Sequence, residues 1–406
     1  MIIEGPELED AQKLDWLRLI RSENVGPRTF STLLDRYKSA GAALEALPQL
    51  LKKVSSRNIR ICSRADAQAE WDRARKLNIR FVALCEASYP EALRRIDAAP
   101  PLLAVAGRIE VLARPTVGIV GSRNASASGL VFTDRLARGL AGGGYVVASG
   151  LARGIDVKAH MASLEWGTVA VLAGGHDHIY PSEHEGLARR ICETGALISE
   201  MPLAWEPRAR EFPRRNRIVA GLSLGVVVVE ASRRSGSLIT ARFANEQGRE
   251  VFAVPGSPLD ARAEGTNDLL RQGATICTSA EDVISALAPI RGLSMSPDML
   301  GEAPRTSPDV EPLWEELELF SGHRGPPSPV APSSFAEGSA PEPVEFGEQG
   351  AARRIAALLG PAPLPVDDLI RACGLAPQVV QALLMELELE GEVQRHEGNR
   401  VALRLR

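Results

Sequence analysis

Two segments constrain the fold of this chain more than any other feature. Val117-Gly118-Ile119-Val120-Gly121-Ser122-Arg123 is one, and Val146-Val147-Ala148-Ser149-Gly150-Leu151-Ala152-Arg153 repeats its logic about one crossover length later. Each reads as a short buried strand that ends in small residues and then presents a single arginine where a helix begins. Glycine lets the backbone approach a ligand, and the start of the following helix offers oriented N–H groups to an anion. From about Pro115 such runs alternate with helical lengths. The expected strands are Val117–Gly121, Tyr145–Ser149, Thr168–Ala173, Ala196–Ser199, Gly225–Glu230, Glu250–Val254 and Ala274–Ile276. Between them, spacings such as Phe132, Leu136 and Leu140 predict helices. Strand and helix alternating in this way predict right-handed crossovers and a doubly wound, mainly parallel sheet of the α/β class.

The flanking segments differ. Leu14, Leu17 and Ile20 share one helical face, Asn24-Val25-Gly26-Pro27 interrupts it, and Phe30, Leu33 and Leu34 resume it. That pattern predicts a small helical module of helix-hairpin-helix type, either a DNA-backbone binder or a packing cap. Helical spacing runs on to about Leu77, and Tyr89 to Gly107 reads as an irregular, proline-containing connection. Residues 291–347 crowd Pro with Ser, Gly and Glu and lose apolar periodicity, so they read as a solvated linker. After it, helices at Ala351–Leu359, Val366–Cys373 and Ala376–Leu389, then a hairpin from Glu392 to Leu405 around Gly398-Asn399, predict a winged helix. The resulting division is 1–82, 83–290, 291–347 and 348–406.

Composition narrows the function. The 406 residues carry a formal net charge of −4, so any binding of a polyanion has to be local rather than a property of the whole surface. Five widely spaced cysteines contain no CxxC pair, which predicts reduced thiols. The acidic first ten residues and the lack of a long apolar run predict a cytoplasmic chain with no membrane span.

In an open sheet, ligands gather beyond the carboxyl ends of the strands. Here those ends read Gly121-Ser122-Arg123, Ser149-Gly150-Leu151-Ala152-Arg153, Gly174-Gly175-His176-Asp177, Ser199-Glu200, Glu230-Ala231-Ser232 and Pro255-Gly256-Ser257. The densest basic cluster, Arg208, Arg210, Arg214, Arg215 and Arg217, interleaves with Phe212 and Asn216. Guanidinium groups hold phosphates and an aromatic ring stacks on any base, so the cluster fits a nucleic-acid strand as well as it fits a solvated loop. No GxGxxG follows the first strand, the second ends without the acid that holds a ribose, and no Walker A sequence occurs, which disfavours dinucleotides and an ATPase. His176, His178 and His184 surround Pro181 without a matching ligand cluster, so no metal is expected. Asp177 and Tyr180 read as organisers of that loop, and Asp156 and His160 as a helix cap or a support for the site.

Taken in order, Gly118-Ile119-Val120-Gly121-Ser122-Arg123, Ser149-Gly150-Leu151-Ala152-Arg153-Gly154-Ile155-Asp156, Gly174-Gly175 with Asp177, Tyr180 and Pro181, Phe212-Pro213-Arg214-Arg215-Asn216-Arg217-Ile218, Ser235-Gly236-Ser237-Leu238-Ile239-Thr240-Ala241 and Gly265-Thr266-Asn267 resemble the DNA processing protein A family, DprA or Smf. The match covers roughly residues 85 to 280. The resemblance implies an extended Rossmann-like domain, an N-terminal cap of sterile-alpha-motif or helix-hairpin-helix type and a C-terminal winged helix. It further implies single-stranded DNA binding, protection of incoming strands in natural transformation, loading of the RecA recombinase, a homodimer formed through the central domain, and no catalytic step or cofactor. Carried over, Gly121, Ser122 and Arg123 hold a phosphate, Arg215, Asn216 and Arg217 line the adjoining pocket, and Ser237 and Thr240 add contacts, with Arg153, Phe212 and Arg214 beside them. The helix expected over Ala376–Glu390 has three glutamates and no Lys or Arg, a poor surface for a DNA groove. Two alternatives stay open. One is a phosphoribohydrolase of the cytokinin-activating type, whose Pro-Gly-Gly-x-Gly-Thr-x-x-Glu loop is matched here only by Arg234-Ser235-Gly236-Ser237-Leu238-Ile239-Thr240, without the terminal acid. The other is an adaptor whose main partner is a protein.

Overall fold

A computed structural model of the chain describes residues 7–54, 60–292, 348–389, 392–396 and 399–403. These residues fall into two units, divided between Leu317 and Glu318. The proline-rich expectation for 291–347 and Gly398 of the expected hairpin turn lie almost wholly outside the described residues.

The first unit opens with α1 (Asp10–Ile20), α2 (Pro27–Tyr37), α3 (Ala40–Val54) and α4 (Arg64–Lys76). Local chemistry sets their starts. Gln12 accepts from the Glu9 amide at the head of α1, Pro27 takes the first position of α2, and Ser63 accepts from the Asp66 amide at the head of α4. Leu14, Leu17, Leu19, Phe30, Leu33 and Leu47 are buried between the helices.

Nine strands follow in the same unit, β1 (Ile79–Ala83), β2 (Leu102–Gly107), β3 (Thr116–Val120), β4 (Val146–Ser149), β5 (Thr168–Val171), β6 (Ala196–Ser199), β7 (Gly225–Val228), β8 (Glu250–Ala253) and β9 (Thr275–Ile276). Their order is β1-β2-β6-β5-β4-β3-β7-β8-β9. From β6 to β9 all pairings are parallel, with Val117 opposite Val147 on one side and Gly225 on the other. The helices are α5 (Glu91–Arg94), α6 (Ala127–Gly142), α7 (Ile155–Ser163), α8 (Glu185–Thr194), α9 (Glu211–Leu222), α10 (Gly236–Glu246), α11 (Glu264–Arg271) and α12 (Ala280–Gly292). Val117, Ile119, Val147, Val227 and Phe252 pack with Leu136, Leu140, Ile155 and Leu287 in a core on one face of the sheet. Side chains of this size each contribute about 1.5–3 kcal/mol on full burial, and strands covered on both faces become the valine-rich runs seen in the sequence.

Two expectations are corrected here. The stretch from Tyr89 to Gly107, read as irregular, contains α5 and β2, and Ile79–Ala83, assigned to no strand in the sequence and placed by the boundary at 82 with the helical module, is a strand. β2 pairs antiparallel with both β1 and β6, so the parallel sheet gains an antiparallel edge. Pro100 and Pro101, immediately before β2, mask its pattern. A boundary at residue 82 therefore cuts through β1, and the sheet begins at Ile79.

The second unit comprises α13 (Glu348–Leu358), β10 (Leu364–Pro365), α14 (Val366–Cys373), α15 (Pro377–Leu389), β11 (Val393–His396) and β12 (Arg400–Leu403). β12 lies between β10 and β11, both antiparallel to it, which with the three helices makes a winged helix. Among the described residues no helix is long and apolar enough to cross a membrane.

Candidate nucleic-acid interface

The crossover after β3 leads to β4 on one side, and the crossover after β7 leads to β8 on the other. The direction of winding therefore reverses between β3 and β7, where an open sheet leaves a crevice at its carboxyl edge. Gly121 and Ser122 leave β3 half-buried at this point, and Ser122 Oγ accepts from the Asn124 amide at 3.1 Å. Arg123 and Asn124 are exposed. The Arg123 guanidinium lies 5.2 Å from the centre of the Phe212 ring, and among the described residues no carboxylate pairs with it. Phe212 is half-buried near the start of α9 and meets the ring of Tyr180 edge-on, 5.5 Å between centres at 68°. Tyr180 is 52% exposed. A cation over one aromatic ring and a second ring at its edge thus stand at the mouth of the crevice.

Beneath them the strand ends are fixed from inside. Arg215 is buried and donates to the carbonyls of Gly150 and, at 2.8 Å, Val171. A Cβ at residue 150 would collide with that guanidinium, which is why glycine ends β4. Burial draws the Arg215 pKa down to about 10, with Asp156 opposing the shift and Arg123 adding to it. Burial raises the Asp156 carboxyl while Arg215 pulls it down, and Asp156 accepts from the Gly150 amide at 3.1 Å. Arg215 therefore holds the β4 and β5 ends and lends positive potential to the crevice from below. His160 lies in the same buried layer. Thr168 Oγ1 donates to the Val147 carbonyl at 2.6 Å, so His160 Nδ1, 2.8 Å away, is the donor to that hydroxyl. Burial, with Arg215 next, draws the His160 pKa down to about 3.

Several residues expected at one site are separated. Arg217 is 2% exposed and ion-paired with Glu200, and Arg214 lies 3.9 Å from the same carboxylate, so the expectation that Arg217 lines the pocket is corrected. Arg153 is held by Glu183 through two bonds of 2.8 and 2.9 Å, which neutralises it locally. Ser237 and Thr240 are buried, and Ser237 bonds the hydroxyl of Ser235, which caps α10. Asn216 accepts from Arg215 Nε at 3.2 Å and donates to the Gly236 carbonyl at 3.1 Å, tying α9 to the start of α10. The start of α6 is also satisfied internally. Glu230, at the end of β7, accepts from the Ser126 amide at 2.9 Å and from the Ser126 hydroxyl. A Cβ on Gly129 would come within 2.6 Å of the Glu230 carboxyl carbon, so glycine makes the room for it. Burial raises the Glu230 carboxyl, while the Ser126 bonds lower it.

Two contributors went unrecognised in the sequence. Tyr180, read as a loop organiser, shares the ring cluster, and Arg234 is exposed just before α10 with no carboxylate partner among the described residues. Arg208 is also exposed and lies 5.7 Å from the Trp205 ring. Arg210, in contrast, is paired with Glu211 at 2.9 Å. His176 is half-buried, with its Nε2 3.2 Å from the Leu197 carbonyl.

The model of the DNA recombination-mediator protein A family matches residues 80–288 of this chain, the sheet from the second residue of β1 onward. The chain belongs to that family. A DprA-like N-terminal helix-hairpin-helix domain matches residues 10–73, and a DprA winged helix domain matches 339–399. Protein Smf of Synechocystis is 30% identical over 408 residues, covering 97% of this chain and 99% of that protein. DNA processing protein DprA of Bacillus subtilis is 43% identical over 216 residues, 52% of this chain and 73% of the relative. The crystal structure of DprA from Streptococcus pneumoniae superposes with a TM-score of 0.53 at 35% identity, covering 62% of this chain and 86% of that one.

Proposed function

We propose that this DprA-family chain binds single-stranded DNA along the β3–β7 rim, makes and breaks no bond in it, protects incoming strands and serves as a mediator that loads the RecA recombinase onto them. The observation that carries this reading is the Arg123–Phe212–Tyr180 cluster, a guanidinium without a carboxylate partner set over an accessible aromatic surface at the switch point. A phosphodiester meets the cation and its base meets a ring, a combination that tolerates any sequence. Arg234 and Arg208 extend the positive rim, while Arg215 supplies charge from beneath the backbone amides. Membership of a recombination-mediator family supports the RecA partnership, and a homodimer through the Rossmann-like unit belongs to the same proposal. The residues assigned to the strand are Gly121, Ser122, Arg123, Phe212, Tyr180 and Arg234, with Arg215 and Asn216 holding the edge on which they sit.

The test is a salt titration of binding to single-stranded and duplex oligonucleotides of the same length. Affinity for the single strand is expected to exceed that for the duplex and to fall linearly with log salt. Arg123→Ala weakens all sequences alike and lowers the salt slope by about 0.7, the share of one phosphate contact on a single strand. Equal affinity for duplex, or an unchanged slope in the variant, rejects the assignment. Release of free base from nucleoside monophosphates would favour the phosphoribohydrolase alternative instead.

A further inference from the structure

Tyr180 holds its ring half in solvent. It sits at the crest of residues 176–184, a segment fastened on both sides. On one side the Asp177 amide donates to the Leu203 carbonyl at 3.0 Å, and the Asp177 carboxylate takes the Arg73 guanidinium from α4. On the other, Glu183 is bound by Arg153, and His184 Nδ1 lies 2.8 Å from the Leu151 carbonyl. Between these ties Ile179 packs against the core cluster formed by Leu151, Leu172 and Leu187. A segment tethered this closely has little freedom to fold its crest inward, and the next side chain after Ile179 stays 52% exposed and meets Phe212 at 68° rather than stacked on it. Its hydroxyl has no hydrogen-bond partner among the described residues, so no hydrogen bond fixes the position. About half of the tyrosine surface thereby stays open to solvent beside a cation-capped phenylalanine.

We infer that Tyr180 is a base-stacking residue of this interface, and that Arg73 of the N-terminal helices is a positioning residue for it, acting through Asp177. The inference deepens the proposed function and rests on it. The ligand is a nucleobase of a single strand whose phosphate meets Arg123. Stacking on an exposed ring depends on the base and hardly on the backbone, whereas contact with Arg123 depends on the backbone alone. The two contributions therefore separate by substrate chemistry.

The experiment compares the full chain and its variants, by fluorescence anisotropy, on oligothymidylate and on an oligomer of equal length whose nucleotides are abasic. Tyr180→Ala is expected to lose about tenfold or more in affinity for oligothymidylate, within the usual worth of one base on one ring, and to bind the abasic strand as wild type does. Tyr180→Phe keeps the ring and keeps the affinity. Arg73→Ala loses part of the oligothymidylate affinity and none of the abasic affinity. The double variant Arg73→Ala/Tyr180→Ala binds no more weakly than Tyr180→Ala alone, because the first residue acts through the second. Equal losses on both strands, no loss in Tyr180→Ala, or losses that add in the double variant overturn the inference. Arg123→Ala serves as the control on the underlying reading. It weakens both strands, and failure of the wild type to bind either one removes the proposed function and this inference together.

Discussion

Arg217 gives the sharpest contrast between a residue that binds and a residue that folds. Its charge motif places it beside Arg215 and Asn216, but its guanidinium is 2% exposed and paired with Glu200, whose side chain is 9% exposed. Replacing it by methionine keeps most of the side-chain volume and leaves the Glu200 carboxylate buried without its partner. Breaking a buried pair from one side costs about 3–5 kcal/mol. Arg214, 3.9 Å from Glu200, can draw closer, which places the expectation near the lower figure, about 3 kcal/mol. At roughly 2–4 °C per kcal/mol for a unit of this size, the unfolding midpoint falls by about 6–12 °C. A domain with ordinary stability survives that loss, so the folded fraction at low temperature stays near unity. Urea denaturation reads the stability, and anisotropy with a labelled oligonucleotide, scaled to folded protein, reads the affinity. Arg217→Met should shift the first and leave the second within about twofold, since the charge removed is screened from the rim by its own carboxylate. Adding Glu200→Leu should recover most of the lost stability, because an apolar pair can replace a buried ion pair. A variant with wild-type stability and weakened DNA binding would show that Arg217 leaves Glu200 to touch the strand, and the assignment made here would be wrong.

Two further expectations concern pH and the start of α6. Burial draws His160 down to about 3 and His176 to about 4, each below its ordinary 6.5. The unfolded chain therefore binds the extra protons first, and stability is full above about pH 6.5 and declines as pH falls toward 4, by up to about 1.4 kcal/mol per unit for each histidine. Unfolding midpoints measured between pH 7 and 4.5 should show this slope, and a variant His176→Gln that keeps the wild-type slope would contradict it. Glu230→Ala removes the acceptor of the Ser126 amide and hydroxyl, and should cost about 1 kcal/mol or more of stability in chemical denaturation, the usual scale for a lost helix-start contact. An unchanged denaturation midpoint would mean that water replaces the carboxylate without loss.

Parallel strands buried on both faces announce themselves as runs of valine and isoleucine, which is why β3, β4, β5, β7 and β8 are legible from residues alone. β1 and β2 are not, because one follows a helix after only Leu77 and Asn78 and the other starts after two prolines. Their antiparallel pairing is decided by partners distant in sequence. The site divides in a similar way. Small residues at strand ends and an arginine after them locate the crevice, and Arg123 and Phe212 stand there. The direction of the remaining arginines is less legible. On α9, Arg214 and Arg217 are three residues apart and share a face, while Phe212, Arg215 and Asn216 share another. Spacing reveals that division but not the carboxylate at Glu200 that claims the first pair. Tyr180 escaped notice for a related reason: an aromatic in a polar loop carries no sign of whether it packs or projects.

The helices before residue 79 and the sheet after it meet through a buried charge, Glu86, whose cation Lys13 comes from the helices. Glu86 is 1% exposed and takes Lys13 at 2.8 Å and the Leu8 amide at 2.9 Å, and Glu70 takes Arg21 and the Leu203 amide. Recognisable sequence modules at 10–73 and 80–288 are thus not separable as objects: cutting between them leaves the buried Glu86 without Lys13 and takes the Leu203 amide from Glu70. A shuffling event that exchanged one module for a foreign one would have to carry the matching cations with it, so the two pieces are bound to evolve as a pair.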